Sequence, residues 1–83
     1  MLTLEMALNL RNIGNISSCE LRPSPIHDNG YTVVFVGAES QDGGVAELTD
    51  DQGNIITASL EKATSLALRA GFPKDEISTL QSS

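Results

Sequence analysis

The spacing of apolar residues changes several times along this chain, and each change marks an element. Leu60, Ala63, Leu66, Ala67 and Ala70 recur at intervals of three and four, with Glu61, Lys62, Ser65 and Arg69 opposite them. That is the pattern of a helix with one buried stripe. Ser59 stands where an N-cap belongs, and Glu61 faces the positive end of the helix dipole. Gly71 closes the helix as a C′ residue, and Pro73 stops it from continuing. Three alanines on the buried stripe predict a close approach to a sheet.

The strands of that sheet lie ahead of the helix. Tyr31–Ala38 (YTVVFVGA) is apolar on both sides, Val33 and Phe35 pointing one way, Val34 and Val36 the other. Such a strand is expected at the centre of a sheet, covered on both faces. Ile16–Arg22 alternates loosely and predicts a first strand, ended by Pro23 and Pro25; the run to Gly30 is a loop by composition. Gln41–Gly44 predicts a turn. Val45–Thr49 and Ile55–Ala58 then flank Asp50-Asp51-Gln52-Gly53-Asn54, which reads as a hairpin with a short or bulged loop.

Both ends of the chain are harder to read. Leu2, Leu4, Met6, Leu8 and Leu10 alternate as a strand would, yet the residue types are helix formers. Residues 1–12 are therefore expected to form a helix, capped by Thr3 and closed by Gly14 with Ile16 packing back. Its wide apolar arc predicts burial on more than one side. After Gly71, Pro73 followed by Asp75 and Glu76 looks like a second helix start, with Ile77 and Leu80 on one face. A strand over 73–81 is the alternative. The expected fold is a single α+β domain spanning residues 1–83. It is a three- to four-stranded antiparallel meander packed with an N-terminal and a C-terminal helix.

Composition narrows the function more than the fold. A chain of 83 residues has a marginal core, and such chains often recruit a second copy of themselves. Cys19 is alone, so no intrachain disulfide forms, in keeping with a reducing compartment. No basic stretch opens the chain, and Glu5 interrupts its first apolar run, which argues against a secretory signal. No window approaches the roughly 20 apolar residues of a membrane span. A soluble cytoplasmic protein is expected. Net charge is −6, all of it carried by residues 1–58, where eight acids face Arg11 and Arg22. This balance argues against phosphate backbones and anionic membranes as partners.

Candidate chemistry is sparse. Asp50–Asn54 groups carboxylates near a glycine, but it lacks the alternating ligands and distal glutamate of a calcium loop, and a polar turn accounts for it. His27-Asp28 would need a geometry that adjacent residues do not arrange by themselves, so His27 reads as a surface residue. Cys19 has only Arg22 as a cationic neighbour and reads as buried and inert. Gly43, Gly44 and Gly53 belong to hairpins rather than to a phosphate loop. No catalytic residue, cofactor or metal is expected, and no enzyme activity.

Two resemblances follow from residue spacing. Ala67, Gly71, Ile77 and Leu80, with Leu66, Ala70 and Phe72, resemble the helix-turn-helix unit of DNA-binding proteins. That likeness implies a regulator using residues 59–81, with Lys62, Arg69 and Lys74 as DNA contacts. Asp75 and Glu76 sit at the front of the would-be recognition helix, where acids oppose phosphate. Over nearly the whole chain, Gly14-Asn15-Ile16, the strand at Tyr31, Leu48-Thr49-Asp50 with Gly53, and Ser59 with Ala63 set a second pattern. It resembles small bacterial proteins of unknown function common in pseudomonads, which implies a helix, meander, helix fold.

The expectation that best fits these features is a non-enzymatic protein–protein interaction module, an adaptor or inhibitor. Its partner would be a second copy, giving a homodimer, or another protein. Val33, Phe35, Asp50 and Asp51 are the candidate interface residues.

Overall fold

The computed structural model describes residues 2–24, 29–37 and 45–80. The elements run α1 (Leu4–Asn12), β1 (Ile16–Pro23), β2 (Tyr31–Gly37), β3 (Val45–Glu47), β4 (Thr57–Ala58), α2 (Leu60–Arg69) and β5 (Ile77–Thr79). This is the expected α+β fold, with a mostly antiparallel sheet and a helix towards each end of the chain. The predicted loop from Pro25 to Asp28, Ala38, and the turn at Gln41–Gly44 lie outside the described residues.

Both helices begin and end as their local residues dictate. The Thr3 hydroxyl accepts from the Met6 N–H, and the Ser59 hydroxyl from the Lys62 N–H. Each supplies a partner to one of the first-turn donors a helix leaves unpaired. Gly14 and Gly71 adopt φ of 83° and 99° and close their helices in the same way. In α1, Gly14 N–H bonds Arg11 O at 3.0 Å and Asn15 N–H bonds Leu10 O at 2.8 Å. In α2, Gly71 N–H bonds Leu68 O at 3.0 Å and Phe72 N–H bonds Ala67 O at 3.3 Å. These paired bonds form the Schellman motif.

Gly71 carries a second constraint, because a β-carbon there would meet Leu8 Cδ1 at 3.0 Å. Gly71→Ala is expected to cost about 1–2 kcal/mol, most of it from forcing a left-handed backbone on alanine. A urea-unfolding midpoint would show the loss. Gly14, with nothing within 4 Å of the same position, provides the control for backbone strain alone.

The two helices pack on the same face of the sheet. Ala7 of α1 and Ala63, Leu66 and Ala67 of α2 enter one cluster with Cys19, Leu21, Val33, Phe35, Leu48, Ala70 and Phe72. Ala63, Ala67 and Ala70 are fully buried, as the alanine stripe predicts. The wide burial expected for the N-terminal helix is not found: Met6 and Leu8 stay 43% and 38% exposed. Sharing one face with α2 leaves α1 only the margin of the sheet. One stripe, Ala7 with the half-buried Leu4 and Leu10, suffices there. Leu2 reaches the core from the extended segment ahead of the helix. Its N–H donates to Thr49 Oγ1 at 2.9 Å, and its carbonyl accepts from the Thr49 N–H at 2.7 Å.

The sheet differs from a simple meander in two places. The predicted hairpin arms do not form neighbouring strands. Strand β3 pairs with Val34–Val36 and β4 with Tyr31–Thr32, both antiparallel to β2. The Leu48 N–H extends this pairing to Val33 O at 2.8 Å. Strand β1 occupies the other side of β2 along Tyr31–Gly37. So β3 and β4 are two halves of one edge strand, interrupted by an excursion over residues 49–56. The excursion closes on itself through a Thr49–Ile55 bridge and an Ile56 N–H to Leu48 O bond of 3.0 Å. The turn chemistry acts as expected; what differs is that Leu48, fully buried, keeps the chain on β2.

The second difference lies after α2. Lys74–Glu76 forms a single 3-10 turn behind Pro73, and Ile77–Thr79 becomes β5, parallel to β1 across Cys19–Leu21. The terminal helix expected from Pro73, Asp75 and Glu76 is therefore a turn and a strand. Ile77 seats its side chain against the core cluster, whereas Leu80 stays 42% exposed. A pair of apolar residues cannot hold a helix this short, while strand pairing gives its backbone groups partners at once. The sheet order is β3-β2-β1-β5, with β4 also on β2.

Candidate functional site

The face of the sheet turned away from the helices is the most distinctive surface. Register places Val34 between Glu20 of β1 and Glu47 of β3, and Val36 between Ser18 and Val45. Thr32 lies between Arg22 and Thr57, and Ser78 lies beside Glu20. The alternation of side chains along a strand puts all of these on one face. Val34 is buried at its centre, Val36 is half-buried, and Val45 is 50% exposed at the edge. Glu20 accepts from Arg22 Nη2 at 2.6 Å and from Nε at 3.0 Å. Arg22 is thus engaged by one glutamate, while Glu47 is exposed at the edge beside Val34.

The structure separates the residues expected at the interface. Val33 and Phe35 are each 1% exposed and belong to the chain's own core, under the helices. They are thus unable to contact a partner while the domain stays folded. Asp50 and Asp51 sit on the turn of the excursion, Asp51 exposed. The Asp50 carboxylate instead stabilises that turn. Its Oδ1 accepts from the Gln52 and Asn54 N–H groups at 2.9 Å each.

The Asn54 N–H is the main cause holding the Asp50 carboxyl below its ordinary 3.8, opposed by a smaller desolvation effect and helped by the Gln52 N–H. A lowered folded value means that the carboxylate favours the closed turn above the unfolded value. This contribution is lost as pH falls through the folded value. The Asp50 carboxyl resonance is expected to titrate with a midpoint below 3.8, and protection of the Gln52 and Asn54 amides should fade with it. Asp50→Asn should remove that pH dependence.

The helix-turn-helix reading does not find its second helix, since Ile77–Thr79 is a strand. Lys62, Arg69 and Lys74 are all exposed. Lys62 and Arg69, seven apart, share the outer side of α2, while Lys74 belongs to the separate 3-10 turn. The element expected to serve as the recognition helix is thus a 3-10 turn and a strand.

Cys19 is fully buried, in a row across the core face between Phe35 of β2 and Ile77 of β5. Burial, with the neighbouring Glu20 charge second, pushes its thiol up to about 12. It is protonated and unreactive at neutral pH. His27 and Asp28 lie outside the described residues. Among the described residues, no group of three or more His, Cys, Asp or Glu side chains is placed to hold a metal ion. None of the described helices is long and apolar enough to cross a membrane.

Arg11 joins the two ends of the fold. Its guanidinium lies over the Phe72 ring, 4.8 Å from the centroid, and its Nη2 is 3.6 Å from Glu76 Oε2. The spacing of residues gave no sign of this contact, because Arg11 and Glu76 are brought together only by the packing of α1 on the turn after α2. The Val34, Val36, Val45 and Glu47 face was half-visible in the two-sided pattern of the Tyr31 strand. Its glutamates were hidden, because register across strands is not written in either strand alone. No protein-family model, curated protein or solved structure matches the chain.

Proposed function

We propose that the chain is a non-enzymatic protein–protein interaction module, an adaptor or inhibitor that acts through the sheet face opposite its helices. The observation that carries this reading is the face itself: Val34, Val36 and Val45 bordered by Glu20 and Glu47, with both helices on the other side. Its sole described cation, Arg22, is already paired to Glu20. Electrostatics therefore favours a basic partner, whose cations meet Glu47 and the acidic turn while its apolar groups meet Val36 and Val45. A second copy brings the same glutamates and another −6 of charge, so charge opposes a homodimer on this face.

Salt distinguishes the two partners. Binding to a basic protein weakens as salt rises, whereas self-association of an acidic chain strengthens. The test is an NMR titration of the isotope-labelled protein with an extended peptide of alternating valine and arginine, and with its valine–glutamate counterpart. The arginine peptide is expected to shift Glu20, Val36, Val45 and Glu47, less so at higher salt and less in Glu47→Lys or Asp51→Lys. Shifts confined to α2, or no preference between the peptides, would remove this reading. Sedimentation across a salt series checks the homodimer: a dimer that tightens with salt would replace the basic partner with a second copy.

A further inference from the structure

We infer that the C-terminal segment carrying β5 is a displaceable strap, which opens without global unfolding and bares the edge of β1 together with Cys19. Three features of the segment converge on this. Among the described residues, β5 is an edge strand of three residues, paired with β1 alone and in parallel, the weaker pairing geometry. Beyond that ladder it adds a Leu80 N–H to Leu21 O bond of 2.8 Å. Residues 73–76 and 78–80 are exposed, and only Ile77 reaches the core. The turn that leads into it is fastened to α1 by Arg11 and Glu76, an ion pair of two solvent-accessible side chains. Few buried contacts and exposed hydrogen bonds are what sub-global opening requires.

The rest of the domain does not need the strap to stay folded. Strand β1 keeps its seven paired positions on β2, and α2 with Phe72 closes the core ahead of Pro73. Lifting β5 removes Ile77 from beside Cys19 while Phe35 remains on the other side. The thiol, shielded when the strap is closed, then becomes reachable from the opened edge of β1. Cys19 is the only cysteine, so its reactivity reports on this opening without any added label.

The experiment is native-state thiol exchange. The intact protein is mixed with excess 5,5′-dithiobis(2-nitrobenzoic acid) over a urea series, and global unfolding is followed in parallel by circular dichroism. The labelling rate is expected to be nearly flat in low urea and to join the steep global line only near the unfolding transition. Glu76→Gln, at an exposed position, should raise the flat rate by up to about fivefold, as for loss of one surface ion pair. Added salt should raise the rate of the unmodified protein and leave that of Glu76→Gln nearly unchanged. Ile77→Ala should raise it by about tenfold or more, because the anchor is shortened. A rate that follows the global line at every urea concentration would overturn the strap. So would a low-urea rate that Ile77→Ala leaves unchanged.

Discussion

Phe72→Ala is expected to remove about 3–5 kcal/mol of unfolding free energy, the largest loss of any single truncation considered for this chain. Phe72 is 1% exposed and stacks on Phe35, ring centroids 5.8 Å apart and planes inclined by 30°. The Arg11 guanidinium also lies over its ring. Its backbone N–H also completes the motif that closes α2. Truncation leaves a cavity where the helices, the sheet and the C-terminal turn meet. A domain of this length holds only about 4–12 kcal/mol in total, so the variant should lose about a quarter or more of its stability. Urea unfolding of the single variant and of Phe72→Leu would measure this. The leucine variant keeps most of the volume and should lose less than about 2 kcal/mol. A loss below about 1 kcal/mol for the alanine variant would contradict the placement of Phe72 in the core.

Thr49→Val should be the next most costly change, at about 1–3 kcal/mol, although it alters neither size nor shape. The cost arises from the Leu2 N–H, which is buried and has Thr49 Oγ1 as its acceptor at 2.9 Å. Valine leaves that donor without a partner and without water. Thr49→Ser keeps the oxygen and should lose much less. Because Leu2 enters the core just ahead of α1, the valine variant should also loosen the whole N-terminal segment. Faster hydrogen exchange at the Leu2 and Ala7 amides, with exchange in β1 and β2 unchanged, would show this. Uniform loss of protection across the sheet would instead place Thr49 in the global folding unit.

Helix α2 was legible to within a residue because everything that makes it is local. Its stripe, the Ser59 cap and the Gly71 stop lie within a dozen positions and agree with one another. Strand β2 was legible for a similar reason, since both of its faces are apolar. The N-terminal helix could be chosen over a strand from residue types, but not the extent of its burial. The excursion at 49–56 kept its turn chemistry, yet the partners of its flanking strands were misread. A hairpin loop states that the chain reverses; it does not state whether the arms prefer each other or a third strand.

Local chemistry therefore determined where α1 and α2 start and stop, that the chain reverses at Asp50–Asn54, and that its sheet packs closely under alanines. Tertiary structure alone decided that both helices share one face, that β3 and β4 form one interrupted edge, and that the last residues join β1 in parallel. It also chose which valines are core and which stand among glutamates. The physical reason is range. Caps, turns and periodicity act over a few residues, and their free energies are complete within the segment. Register and layer assignment depend on burying Leu48, Phe72 and Ile77 against residues far away in sequence, and only the closed core evaluates those contacts.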